Sequence, residues 1–129
     1  MAYATPDDLT RLGVAAAALS DVPVPDQEAA LDAASRLADS YLARRYRLPL
    51  VSWGDDLKRA VALIAAYDLI AVRGFAPEGA DEHLRLRYED AIRWLEQVAK
   101  GEAEAQVEEA AGDGDPGAPA IAGPLPRGW

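Results

Sequence analysis

Residues 57–72, LKRAVALIAAYDLIAV, leave this chain few ways to fold. From Val61 to Val72 the only charge is Asp68, and apolar side chains fall on every side of a helical wheel: Val61, Ile64 and Leu69 in one direction, Leu63, Tyr67 and Ile70 in another. A helix that is apolar all round has to sit inside something. A membrane span takes about 20 apolar residues, and this run breaks at Arg59 and Arg73. The expectation is therefore all-α: a small bundle of about four helices around a hydrophobic central helix (about 55–73), with an extended Gly/Pro-rich tail after it.

The remaining helices follow from their ends and stripes. Thr5-Pro6-Asp7-Asp8-Leu9 is a start signal, with a capping Thr, a Pro suited to the first position and acids at the positive end of the dipole. That helix is short and stops near Gly13, with another turn allowed over 14–19. Val22-Pro23-Val24-Pro25 predicts an extended connector. Asp26 is expected to cap a second helix over about 26–46, its apolar stripe Ala30, Leu31, Ala34, Leu37, Ala38, Tyr41 and Leu42. Arg44, Arg45 and Arg47 close it at the negative end of the dipole. Leu48, Leu50, Val51 and Trp53 read as an apolar loop folded over the bundle, and Ser52 or Asp55 as the cap of the central helix. A turn at 75–80 leads to a fourth helix ending at Lys100-Gly101, with Leu84, Tyr88, Ala91, Ile92, Leu95 and Val98 inward and Glu89 and Arg93 set for an outer i,i+4 pair.

Beyond Gly101 the composition shifts. Residues 101–129 hold six acids and one base, Arg127, so −5 of the chain's −9 lies there and the first hundred residues carry only −4. Residues 102–111 read as a frayed helix. Residues 112–129 contain four of the nine prolines and five of the ten glycines, which excludes helix and central strand. Two domains result: a helical body, 1–101, and an acidic extended C-terminal tail, 102–129. The tail's apolar end, Ile121, Pro124, Leu125, Pro126 and Trp129, is suited to anchor in a partner's groove.

Catalytic chemistry finds little to stand on. There is no Cys, and MAYATPDDL has neither the basic region nor the apolar core of a signal peptide. His83, the single histidine, has no Ser or Cys nucleophile in a recognisable motif near it and reads as a surface helix residue. Asp113-Gly114-Asp115 lacks the third acid and the closing Glu of a calcium loop. No phosphate loop or dinucleotide fingerprint occurs, so no enzyme, cofactor or metal is expected. Asp68 either pairs with an Arg of the second helix, is solvated at a bundle edge, or faces another subunit. Arg44, Arg45 and Arg47, interleaved with Tyr41 and Tyr46, have the look of a small nucleic-acid patch, but an acidic chain favours snorkelling arginines at a helix end, or contacts to acids of a neighbouring copy.

Three blocks carry a resemblance: MAYATPDDL, DAASRLADSYLARRYRLPL and RYEDAIRWLEQVAKG. Over residues 1–101 they resemble the Mu-type phage and prophage neck proteins, which are similar to the head–tail connector (adaptor) proteins of tailed phages. The run from Ala34 to Leu50, A-x-x-x-x-D-S-Y-L-A-x-R-Y-x-L-P-L, is not a generic amphipathic pattern. Beyond Gly101 no family pattern is matched. The resemblance implies a structural virion protein, made in the host cytoplasm and placed in the head–tail neck. It would form a ring with itself, usually twelve subunits, below the portal protein and above the next neck or tail-completion protein. Genome DNA would pass through its channel without specific binding, and no membrane is involved. The interface residues expected on this basis are Arg44, Arg45, Arg47, Ile121, Leu125, Pro126 and Trp129. A small acidic inhibitor or DNA mimic is the competing reading; it suits the net charge and fits the nearly balanced body poorly.

Overall fold

The structure, a computed structural model, describes residues 2–13, 19–73 and 80–110. Its elements in chain order are α1 (Pro6–Asp8), a π-helical turn π1 (Leu9–Gly13), α2 (Val24–Leu42), β1 (Ser52–Trp53), α3 (Asp55–Arg73), α4 (Ala80–Lys100) and β2 (Val107–Glu108). The architecture is the all-α bundle expected, with one very small antiparallel pair, β1 against β2.

Helix α3 lies at the centre, packed against π1, α2 and α4. Seven consecutive residues, 60–66, are buried. Seven residues make nearly two turns, so no side of this stretch meets water. Leu57, Val61, Ile64 and Ile70 are fully buried, each contributing about 1.5–3 kcal/mol relative to exposure. Alanines at 60, 62, 65 and 66 let the neighbouring backbones come close. Gly13 closes the approach of π1: a Cβ there would stand 3.3 Å from both the Ala62 carbonyl oxygen and the Ala66 Cβ.

The local start signal at Thr5 folds as read. Pro6 opens α1, the Asp8 amide donates to the Thr5 hydroxyl, and the Asp8 carboxylate accepts from the Thr5 amide at 2.9 Å. This is the reciprocal capping box. The chain before it is held by Ser35, buried on α2, whose hydroxyl accepts from the Tyr3 amide at 2.9 Å. Tyr3 in turn donates from its hydroxyl to Asp39, packs edge-on to Trp53 at 4.7 Å, and accepts the Trp53 indole N–H on its carbonyl at 2.8 Å. Thus the loop bearing Trp53 does fold over the bundle, although Val51 stays 61% exposed.

Several boundaries differ from expectation. Helix α2 starts at Val24, with Pro23 as an extended N-cap, instead of at Asp26. Pro25 falls in the first turn, where the missing N–H had no intrahelical partner to lose. The helix ends at Leu42, and Tyr46 is reached through a tight turn in which its amide donates to the Leu42 carbonyl at 2.8 Å. Leu37 lies at the edge of the stripe, 37% exposed, while Ser35 is inside it. Asp55 is the first residue of α3 and not its cap. On α4, Glu89 pairs backwards with Arg85 at 2.6 Å, and Arg93 takes Asp90 at 2.8 Å. These exposed pairs contribute a few tenths of a kcal/mol each.

Candidate functional site

The candidate surface is built from the helix ends, the chain that follows them and one groove among the described residues. The end of α4 comes first. Gly101 takes a left-handed backbone, φ 84°, its amide donates to the Val98 carbonyl at 3.1 Å, and the Glu102 amide donates to that of Gln97 at 2.8 Å. This stop reverses the chain, and residues 102–110 return along the body. They are extended where a frayed helix was expected. The Gln106 amide donates to the Asp56 carboxylate at 2.8 Å, the Gly54 amide to the Gln106 carbonyl at 2.7 Å, and the Val51 amide to the Glu108 carbonyl at 2.7 Å. Glu108 also accepts from the Ser52 hydroxyl, and Glu109 from the Arg47 amide at 3.0 Å. The strap finishes with the Ala110 amide on the Arg47 carbonyl at 2.9 Å.

The three arginines singled out by sequence therefore have different duties. Arg45 reaches across to the end of α4, donating from Nη1 to the Val98 carbonyl at 3.0 Å and, more weakly, to Ala103 at 3.4 Å. It neutralises the negative end of another helix, so it ties the strap down. The Tyr46 hydroxyl next to it accepts from the Ala105 amide at 3.2 Å. Arg44 and Arg47 are exposed, and among the described residues their guanidinium groups have no partner. Ile121, Leu125, Pro126 and Trp129 lie outside the described residues, as do residues 14–18 and the Asp113-Gly114-Asp115 run. His83 is exposed on α4.

Asp68 stands beside the stacked rings of Tyr67 and Tyr88, whose centroids are 4.3 Å apart with planes 17° from parallel. Loss of water on its protein side raises the carboxyl above its ordinary range. Burial raises the Tyr88 hydroxyl as well, with the Asp68 charge adding to it. Among the described residues no cation pairs with Asp68, so it is solvated at the bundle edge and the suggested Arg partner on α2 is not there.

A groove of about 260 Å³ runs between α3 and α4. Its floor is Ala60, Leu63, Ala91 and Trp94; its rim carries Asp56 and Asp90, Arg59 and Arg87. Arg87 is an anchor, donating to the carbonyls of Leu12 at 3.1 Å and Gly13 at 3.2 Å at the end of π1. Sequence reasoning missed it because the target is 75 residues away, and the only local signal was an arginine beside the inward stripe. Among the described residues no group of three or more His, Cys, Asp or Glu is placed to hold a metal, and no helix is long and apolar enough to cross a membrane.

Comparison with known proteins places this arrangement. The family model described as Bacteriophage Mu, Gp36 matches residues 3–121. The match runs past Gly101, where the sequence blocks had given out, and takes in the strap. Gene product J of Escherichia phage Mu is 35% identical over 117 residues, 84% of this chain and 79% of that protein. The Mu-like prophage FluMu protein gp36 of Haemophilus influenzae is 44% identical over 72 residues, 56% of this chain and 47% of that protein.

Proposed function

The chain belongs to the bacteriophage Mu Gp36 family, and on that premise we propose that it is a structural protein of the virion, a head–tail connector. Copies assemble side by side into a ring of about twelve below the portal, continue the DNA channel toward the tail, and meet the next neck protein beneath. The observation that carries this reading is the family match over the entire described body, joined to a bundle whose charged ends are left for neighbours.

Two features support a ring of like copies. Arg44 and Arg47 offer cations with no partner among the described residues, and Asp68 offers a carboxylate in the same condition. A head-to-tail contact between unlike patches closes a ring when the rotation between copies permits. The net charge of −9 also suits a channel wall that does not hold DNA. No step here needs catalysis; the work is mechanical, and many weak contacts in one ring supply the avidity.

The test is co-sedimentation of purified portal rings with the full chain. Stoichiometric binding, with a ring visible below the portal by electron microscopy, is the expected result. No binding, together with salt-sensitive binding to a basic nucleic-acid enzyme, would replace the connector with the DNA-mimic reading.

A further inference from the structure

We infer that the groove between α3 and α4 of one copy receives residues 124–129 of a second copy. The inference rests on the ring reading and names the contact that joins its members. At about 260 Å³ the groove is below the roughly 300 Å³ at which small-ligand pockets begin. It is sized for one large side chain with its flanking backbone. Ala60 and Ala91 withhold bulk from the floor, and Trp94 gives one wall an indole face. Among residues 111–129 the bulkiest apolar side chain is Trp129, preceded by Leu125 and by one cation, Arg127. An aromatic pair with Trp94 and a cation beside Asp90 and that indole match this segment to this groove.

The direction of the strap selects a second copy over the same one. Strand β1 leads into the start of α3, where the groove opens at Asp56, and β2 runs antiparallel to it. The chain therefore passes the groove mouth at Gln106, bonded to Asp56, and leaves it, reaching Ala110 at Arg47. The nineteen residues that follow in the sequence span up to about 60 Å when extended. Pro116, Pro119, Pro124 and Pro126 favour extended backbone. Going on to a neighbour needs no reversal, and returning to its own groove does.

The absence of cysteine makes the test direct. Full-length Arg59→Cys and Gly128→Cys variants, mixed in equal amounts with a bis-maleimide linker, are expected to give a mixed dimer in excess of either homodimer. The double variant gives a ladder of covalent oligomers. Asp90→Arg, which disturbs only an exposed pair with Arg93, cuts the linked fraction several-fold, and adding Arg127→Asp on the tail restores it. No mixed dimer, or a double variant that closes only within one chain, overturns the inference. Rings that form on the portal without this link overturn the docking alone. Linked copies that never bind portal rings overturn the connector reading and leave the docking standing.

Discussion

Truncating Arg45 to Ala should loosen one end of the molecule, and the size of the effect can be worked from its contacts. The guanidinium donates one well-formed bond to the Val98 carbonyl at 3.0 Å and one marginal bond to Ala103 at 3.4 Å. A hydrogen bond from a charged donor contributes about 1.5–3 kcal/mol, and the exposure of Arg45 argues for the low end. The Val98 carbonyl keeps the Gly101 amide at 3.1 Å, so truncation leaves no orphaned acceptor. A loss of about 1.5 kcal/mol follows, and at roughly 4 °C per kcal/mol for a domain of this size Tm falls by about 6 °C. Lys, with a single point charge and no fork, should recover less than half of this. The assay is thermal and urea unfolding followed by circular dichroism, with amide exchange at residues 102–108 as the local readout. Arg44→Ala and Arg47→Ala serve as comparators, because neither guanidinium has a partner among the described residues. If Arg45→Ala melts with those two and its strap amides exchange no faster, Arg45 does not tie the strap down.

Gly13→Val should cost about 2–3 kcal/mol in urea unfolding, since even a Cβ meets the Ala62 carbonyl and Ala66 at 3.3 Å and the remaining methyls have nowhere to go; a cost under 0.5 kcal/mol would show that π1 can move off α3. The acid limb of stability should separate two carboxylates. Asp8 is affected by burial, which raises its pKa, but bonds from the Thr5 amide and Arg11 outweigh it and hold the carboxyl below its ordinary range. Its contribution is therefore present above the unfolded pKa and lost as pH falls through the folded value, and Asp8→Ala should cost about 1 kcal/mol at pH 7 and less at pH 3. Asp68 is shifted upward by desolvation, so its ionised form opposes folding as pH rises through the folded value. Asp68→Asn should stabilise by a few tenths of a kcal/mol at pH 7, discounted for its exposure, and by nothing at pH 3. The same sign for both substitutions at pH 7 would refute the assignment.

What the sequence determined by itself was whatever depends on near neighbours along the chain. Helical hydrogen bonds link residues four apart and side-chain stripes recur every three or four, so an all-apolar run was enough to place α3 at the centre. The Thr5–Asp8 capping box is complete within four residues, and the Lys100-Gly101 stop is read from one glycine. Tertiary structure alone decided the contacts that cross the chain. The strap 102–110 does alternate, with Ala103, Ala105 and Val107 turned to the core between Glu102, Glu104, Gln106 and Glu108, but two alanines and one valine are a weak strand signal in an acidic run. What holds it extended is the amides of Gly54 and Val51 and the carboxylate of Asp56, about 50 residues away. Arg45 and Arg87 looked like surface charge because their targets, carbonyls at the ends of α4 and π1, come within reach only after those elements have been brought alongside. For Asp68 the sequence left an Arg partner on α2, a solvated edge and a neighbouring subunit open, and packing set it beside the Tyr67–Tyr88 stack with no cation among the described residues. The groove likewise has no sequence signature, being the space that Ala60 and Ala91 leave where two helices meet. Local pattern chooses the elements; the fold chooses which charged groups are consumed holding them together and which remain for a partner.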